Sequence, residues 1–149
     1  MGMNVRIAVP NGFGPNQTAL NNAYKAAAFT GANIHITEDP LDAAENADVL
    51  YTDVWVSMGQ EQETKQRLQT FAQYQVNDTL LRAAKPNAVI MHPLPAHRGL
   101  EITDSAIDSA QSIVFTQAEN RLHMQKAILA LLIGDTYVFA GKSVAITAE

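Results

Sequence analysis

The chain has 149 residues, of which 47% are hydrophobic and 17% are charged, and it contains no cysteine. This length and composition are typical of one globular domain and exclude a disordered chain, a disulfide framework and a thiolate metal site. The net charge of −5 and the lack of a basic run argue against a nucleic-acid partner.

Nothing in the sequence indicates a membrane. The amino terminus lacks the charged and apolar regions of a signal peptide, and the longest apolar run, residues 127–133, is far shorter than a membrane span. We therefore expect a cytoplasmic protein without a membrane partner.

Strand-like and helix-like segments alternate along the chain. Apolar, β-rich runs predict strands at residues 5–10, 33–37, 48–54, 88–92 and 112–115. Helical spacing and capping residues predict helices at 16–30, 39–47, 62–74, 77–84 and 103–109, and a last helix that starts with a capping box at 116–119 and ends near residue 133. The alternation predicts an α/β fold with a mostly parallel sheet.

The first motif, Asp53 to Glu61, follows the third predicted strand. Asp53 is suited to bind an ammonium group, and Ser57 with nearby backbone amides is suited to a carboxylate, so the segment fits an amino-acid ligand at the carboxyl edge of the sheet. The alternative is a strand-to-helix turn in which Asp53 and Ser57 bond local backbone donors.

The second motif, His92 to Gly99, follows the fourth predicted strand and contains two prolines, Pro93 and Pro95. A stiff loop of this kind can present backbone carbonyls to a ligand, and either proline is a candidate for a cis bond. The alternative is a rigid strand exit in which His92 is a satisfied core histidine.

A third candidate is Arg121, predicted in the first turn of the last helix. Helix amino termini attract anions, and an arginine adds a bidentate donor for phosphate or carboxylate. The alternative is a surface salt bridge with Glu119 or Asp104.

The other histidines, His35, His97 and His123, do not have the spacing of a metal site, and no glycine-rich phosphate loop or nucleophile elbow is present. These spacings therefore indicate no metal site and no nucleotide-binding loop.

Three segments in order resemble ornithine carbamoyltransferases: YTDVWVSMGQE at residues 51–61, MHPLPAHRG at 91–99 and QAENRLHMQKA at 117–127. The similarity extends from about residue 2 to residue 134. It implies a three-layer, Rossmann-like sheet with helices on both faces. It also implies transfer of a carbamoyl group from carbamoyl phosphate to L-ornithine, giving L-citrulline and phosphate in arginine biosynthesis. The resemblance implies no organic cofactor and no metal.

The resemblance assigns roles to individual residues. It implies that Asp53, Ser57 and Met58 hold ornithine, and that residues 57–63 close over it. It implies that the Leu94 carbonyl contacts the carbamoyl group and that Arg121 contacts carbamoyl phosphate.

Two departures from the family pattern stand out. Pro93 occupies the position of the family's cysteine, as in the sibling aspartate carbamoyltransferases. The family's amino-terminal domain, with its Ser-Thr-Arg-Thr and His-Pro-x-Gln segments, has no counterpart here, nor do the first strand and helix of its second domain. We therefore expect a truncated, ornithine-binding α/β domain at residues 1–134, inactive alone.

Two alternatives stay open for the whole chain. One is a non-catalytic module for amino-acid binding or assembly, and the other is one part of a split carbamoyltransferase, with carbamoyl phosphate bound only if another chain supplies the missing domain. A homo-oligomer also stays open. The tail, residues 135–149, is predicted to add a strand at 142–147 to a sheet edge or gap, in its own subunit or a partner's. The alternative is a frayed terminus.

Overall fold

The computed structural model describes residues 2–56, 64–133, 136–139 and 142–145. The chain divides into two compact units, Met1–Val114 and Phe115–Glu149. The two sequence motifs on which the resemblance mainly depends belong to the first unit, and Arg121 belongs to the second.

The strands of the first unit form two parallel pairs. Strand β1 (Val5–Ala8) pairs with β2 (Ile34–Thr37), and β3 (Val49–Tyr51) pairs with β4 (Val89–Met91). Each pair is a separate two-stranded sheet among the described residues. The predicted α/β class and parallel pairing are therefore confirmed.

Helix α1 (Gln17–Thr30) has the ends that the sequence predicts. The Asn16 side chain accepts hydrogen bonds from the backbone amides of Thr18 and Ala19, which would otherwise lack partners. Gly31 ends the helix with a φ of 76°, a left-handed conformation that glycine adopts without steric cost.

Four shorter elements follow between the strands. They are α2 (Pro40–Ala44), α3 (Thr64–Phe71) with a 3-10 turn at Ala72–Tyr74, α4 (Asp78–Ala83) and α5 (Asp104–Ile107). Asp39, Asn77 and Thr103 cap α2, α4 and α5 with side-chain oxygens, as the sequence predicts for the first two.

The predicted fifth strand at residues 112–115 is wrong. Ser112 makes one isolated parallel bridge to Ile90, and helix α6 (Val114–Ile133) already begins two residues later. Thr116 lies inside that helix, so the predicted capping box does not start it. A short apolar run fits a strand or a buried helix equally well, and here Val114 is fully buried as the first helical residue.

The hydrophobic core of the first unit brings together β3, β4, α2, α4 and α5. Its largest fully buried apolar side chains are Ile90, Ile102 and Val114. Because this core lies directly beneath β3 and β4, it holds in place the two loops that leave those strands.

The second unit contains most of α6 and an antiparallel hairpin of β5 (Thr136–Phe139) and β6 (Lys142–Ala145). The predicted strand at 142–147 is a strand over Lys142–Ala145, the part of it that the structure describes. The addition of the tail to another sheet edge and the domain boundary at 134 stay predictions. Within the described residues, every helix is too short or too polar to cross a membrane.

Candidate functional site at the carboxyl edge of β3 and β4

Strands β3 and β4 place both motif loops at one edge of the fold. They run parallel with Tyr51 opposite Met91, and the amide of Thr52 extends the pairing by donating to the Met91 carbonyl at 3.2 Å. Asp53 and Leu94 therefore follow neighbouring strand ends on the same side. Carboxyl edges of parallel strands are where open α/β folds bind ligands.

Asp53 is exposed at the start of the first loop. Its Oδ1 accepts the amide of Val54 at 2.7 Å, which is the local backbone contact that the alternative interpretation expects. That contact fixes the carboxylate beside the strand end without burying it. Ser57 and Met58, the other two residues predicted to bind ornithine, lie outside the described residues, as does the predicted closing loop at 57–63.

The second loop begins at a buried histidine. His92 has no exposed surface, and its Nδ1 accepts the Leu94 amide at 2.9 Å while its Nε2 lies 3.1 Å from Oε1 of Glu101. Because Nδ1 accepts this hydrogen bond, it carries no hydrogen itself, and Nε2 is the nitrogen that donates to Glu101. His92 is thus a satisfied core histidine that also supports the loop.

Leu94 has an uncommon backbone conformation. Its φ is 57°, and the bond from Leu94 to Pro95 is cis, the second of the two candidates for a cis bond. A left-handed conformation costs a non-glycine residue roughly 1–2 kcal/mol. Such conformations concentrate at functional sites, so the geometry singles out Leu94 within the loop.

Glu101 is a residue of the site that the sequence analysis missed. It is 1% exposed, and its Oε1 accepts from the backbone amide of His97 as well as from His92. Its Oε2 makes no hydrogen bond among the described residues and lies 3.8 Å from Nδ1 of His97. The detectable signal is a carboxylate between Leu100 and Ile102, since buried acids require partners.

Arg98 ties the end of the loop to α5. Its Nη1 contacts Asp104 at 2.8 Å and Asp108 at 2.6 Å, and its Nη2 reaches the other oxygen of Asp108 at 2.8 Å. These bonds lower the pKa of the Asp108 carboxyl, chiefly through the Arg98 hydrogen bond. They also raise the pKa of Arg98, chiefly through Asp108 and then through Asp104.

An aromatic cluster that the sequence analysis also missed adjoins the first loop. The Phe71 ring lies 5.0 Å from that of Phe13, 6.1 Å from that of Trp55 and 5.9 Å from that of Tyr74. Arg67 places its guanidinium 5.2 Å above Phe13 and donates to the Trp55 carbonyl at 3.2 Å. The cluster therefore fixes the backbone just before residue 57 through both ring packing and a hydrogen bond.

Arg121 does not occupy the predicted position on its helix. Because α6 begins at Val114, Arg121 stands two turns inside the helix and not in its first turn, so the argument from a helix amino terminus is wrong. Of its two predicted surface partners, Glu119 lies 3.5 Å from His123, and Asp104 binds Arg98. Arg121 itself is exposed.

No group of three potential ligands capable of holding a metal ion occurs in the described part of the chain. Each histidine there has a carboxylate nearby. His35 binds Asp42 at 2.8 Å, and this hydrogen bond is the largest cause of the lowered pKa of Asp42.

The sequence and the fold place the chain among known proteins. Residues 1–132 match the family model for the aspartate/ornithine carbamoyltransferase Asp/Orn binding domain. The chain belongs to this family. A carbamoyltransferase-family domain accounts for the α/β fold and the parallel strands, and for the order of the three motifs.

Individual sequences similar to this carbamoyltransferase-family chain are ornithine carbamoyltransferases. It is 51% identical over 134 residues to an ornithine carbamoyltransferase of Gloeobacter violaceus, covering 90% of this chain and 43% of that relative. It is 53% identical over 133 residues to an ornithine carbamoyltransferase of Trichormus variabilis, with 89% and 43% covered.

A solved relative shows the same fold. The ornithine carbamoyltransferase of Pyrococcus furiosus superposes with a TM-score of 0.84 at 50% identity, covering 89% of this chain and 42% of that one. The chain thus spans less than half the length of the relatives that it matches.

Proposed function

We propose that this chain forms the amino-acid-binding half of an ornithine carbamoyltransferase site. The observation that carries the proposal is the parallel pairing of β3 with β4, which brings the loops of Asp53 and Leu94 to one edge. Both loops match the family's motifs, and Leu94 has the strained backbone that is common at functional sites.

In the proposed site, Asp53 binds the ammonium group of L-ornithine, and Ser57 and Met58 contact the rest of the amino acid. The Leu94 carbonyl contacts the carbamoyl group. The role of Arg121, in the second unit, as a carbamoyl phosphate contact rests on the family resemblance alone. The described exposure of Asp53 and Arg121 leaves both charged groups accessible to ligands. A carboxylate facing an ammonium group forms a charge-assisted hydrogen bond, which is stronger than a neutral one.

The proposed reaction joins the neutral side-chain nitrogen of ornithine to the carbamoyl carbon. The bond from that carbon to the phosphate oxygen breaks, phosphate leaves with the electron pair, and the nitrogen releases one proton. The protein's contribution is to position the two reactants and to stabilise charge on the leaving group. Pro93 supplies neither a thiol nor an N–H group, so these steps do not use the side chain at that position.

Catalysis requires more phosphate-binding groups than the described residues provide. The sequence contains no Ser-Thr-Arg-Thr segment. Each lost transition-state donor costs on the order of a hundredfold in rate. We therefore expect the chain alone to form no measurable citrulline from ornithine and carbamoyl phosphate, and sustained turnover by the purified chain would contradict this.

Calorimetric titration with L-ornithine tests the binding role. We expect saturable binding by the unsubstituted chain and at least about tenfold weaker binding by Asp53→Asn, since charged hydrogen bonds contribute roughly 1.5–3 kcal/mol. Asp78→Asn, in the first turn of α4, is the matched control and should bind normally. No binding by the unsubstituted chain, or equal binding by Asp53→Asn, would overturn the proposal.

A citrulline assay with a second polypeptide separates the two rival functions. A non-catalytic module binds the amino acid, or assembles with another protein, without forming citrulline under any condition. One part of a split enzyme gains citrulline formation when a second polypeptide bearing the Ser-Thr-Arg-Thr segment is added. A search of the neighbouring coding sequence for that segment distinguishes these two cases before any protein is purified.

A further inference from the structure

The turn between β1 and α1 contains a pair of residues that can react with each other. Asn11 is followed by Gly12, and this is the one Asn-Gly pair in the sequence. The Phe13 amide donates to the Pro10 carbonyl at 3.0 Å, and Gly12 has a φ of 84°. A turn of this type requires a positive φ at its third residue, which glycine adopts without steric cost. We call residues 10–13 the Asn-Gly turn.

The Asn-Gly turn is open to solvent. Both Asn11 and Gly12 are exposed, and a side-chain carbon added at Gly12 would meet no atom within 4 Å. Among the described residues, the Asn11 side chain makes no hydrogen bond, and the Gly12 amide donates to no backbone carbonyl. The side-chain carbonyl of Asn11 and the peptide nitrogen of Gly12 are therefore available to each other and to water.

Three other asparagines of the first unit lack this combination. The Asn16 and Asn77 side chains accept backbone amides as helix caps, at 2.9 Å in each case, so their carbonyl oxygens are already bonded. Asn87 is exposed like Asn11, but the residue after it, Ala88, is 2% exposed and donates its amide to the Lys85 carbonyl at 2.9 Å. A bonded and buried peptide nitrogen is a poor nucleophile, so Asn87 is a matched comparison for Asn11.

We propose that Asn11 is a site of self-catalysed modification, at which the Asn-Gly turn converts to a mixture of aspartate and isoaspartate. The peptide nitrogen of Gly12 attacks the side-chain carbonyl carbon of Asn11 and loses its proton. The bond from that carbon to the amide nitrogen breaks, and ammonia leaves with the proton. Attack within one chain is favoured because the two groups are held together, and glycine places no side chain beside its nitrogen.

Water completes the reaction by opening the cyclic imide. Attack at the side-chain carbonyl breaks its bond to the Gly12 nitrogen and gives aspartate with an ordinary backbone. Attack at the other carbonyl gives isoaspartate, in which the main chain runs through the former side chain of Asn11. The main chain is then longer by one carbon–carbon bond, about 1.5 Å. Both products also carry a negative charge at neutral pH.

The added carbon lies close to the aromatic cluster. The Phe13 ring stands 5.0 Å from the Phe71 ring and beneath the Arg67 guanidinium at 5.2 Å. Because an aromatic pair depends on the position and angle of both rings, isoaspartate at position 11 displaces Phe13 from this arrangement. Trp55 packs on the same Phe71 ring, so the conversion also alters the packing of the first motif loop.

Incubation of the full chain at mildly alkaline pH, followed by trypsin digestion and mass spectrometry, tests the reaction. We expect the peptide of residues 7–25 to gain the mass difference between an amide and an acid at Asn11. This gain should be at least about tenfold faster than the gain at Asn87, whose following amide is bonded and buried. Fragmentation of the peptide should show both aspartate and isoaspartate at position 11.

The consequence for the aromatic cluster is measured through Trp55, which is the only tryptophan in the sequence. We expect its fluorescence emission to change as isoaspartate accumulates. Asn11→Ser cannot form the imide, and its emission should stay constant during the same incubation. Asn11→Asp carries the new charge on an ordinary backbone, so before incubation it should have the emission of the unsubstituted chain.

Each measurement has a result that would overturn its part of the proposal. Conversion of Asn11 that is no faster than conversion of Asn87 would remove the site. Conversion with an unchanged Trp55 emission, or an equal emission change in Asn11→Ser, would remove the effect on the aromatic cluster. A change already present in Asn11→Asp before incubation would contradict the argument from backbone length. None of these measurements involves ornithine, so the proposed function is tested separately.

Discussion

The backbone amide of Leu94 donates to Nδ1 of His92 across 2.9 Å, so the strained residue of the second loop is bonded to the histidine at its own strand end. The other nitrogen of that ring is held by Glu101. Glu101 therefore acts on Leu94 through one buried ring, and the loop conformation depends on a carboxylate seven residues away from Leu94.

Removing the Glu101 side chain tests whether these contacts connect Glu101 to Leu94. Glu101→Ala leaves the donors of His92 and His97 without their acceptor in a buried site, so we expect the free energy of unfolding to fall by about 3 kcal/mol. The Leu94 amide resonance should also shift in the NMR spectrum of the folded variant. Glu119→Ala, at a side chain that is 70% exposed, is the matched control and should change stability by less than about 0.5 kcal/mol. A stable Glu101→Ala variant with an unmoved Leu94 resonance would contradict the coupling.

The core beneath the loops is tested by two neighbouring aliphatic residues. Ile102 is 0% exposed and Leu100 is 37% exposed. We expect Ile102→Ala to lower the free energy of unfolding by about 2–5 kcal/mol through lost burial and cavity formation. Leu100→Ala should cost clearly less. Urea denaturation of both variants provides the measurement. Equal losses in the free energy of unfolding would contradict the burial of Ile102 in the core.

The ion pair at Arg98 predicts a pH dependence with a definite sign. The pKa of Asp108 is lowered from 3.8 chiefly by its hydrogen bond to Arg98. A lowered native pKa stabilises the fold above about pH 3.8, and this contribution is lost as the pH falls through the lowered value. Both partners are exposed, so the effect is screened and modest.

Arg98→Gln should return the pKa of Asp108 toward 3.8. The free energy of unfolding of this variant should then depend less on pH in the acid range. NMR titration of the carboxyl carbons measures the change. The pKa of Asp42 is lowered chiefly by His35 and serves as an internal control that should stay lowered in the variant. An unchanged Asp108 titration would show that Arg98 is not its main partner in solution.

Helix α4 offers a test of local sequence signals. The Asn77 side chain accepts from the amides of Thr79 and Leu80 at 2.9 and 3.2 Å. We expect Asn77→Ala to lower the free energy of unfolding by about 1 kcal/mol, the usual cost of a lost amino-terminal cap. Asn87→Ala, in the turn before β4, is the matched control. Identical melting of the two variants would contradict the capping role.

Local signals predicted most of the fold correctly. Asn16, Asp39 and Asn77 begin the helices that the sequence assigns to them, because a capping side chain acts within two or three residues. The strand assignments that place Asp53 and Leu94 at one edge were also right, since both follow apolar β-rich runs. These features need only neighbouring residues to be recognised.

The features that the sequence did not predict depend on distant contacts. Ser112 and Val114 look like a strand, but Val114 is buried as a helical residue, and the core decides between two conformations that the short run allows equally. The burial of Glu101 and the rings around Phe71 arise from residues far apart in sequence. The error in Arg121 follows in part from the helix start, which lies two residues before Thr116 and places Arg121 deeper inside α6.

The register of β3 against β4, with Tyr51 opposite Met91, has a consequence for how such a chain tolerates insertions and deletions. Removing one residue from either strand shifts one loop by about 3.3 Å relative to the other and turns every following side chain of that strand to the opposite face. In a library of single-residue deletions, positions within β3 and β4 should be intolerant as a block, while deletions in the turn around Asn87 should survive. The number of residues in β3 and β4 would then stay constant among related sequences, even at positions where the residue type varies.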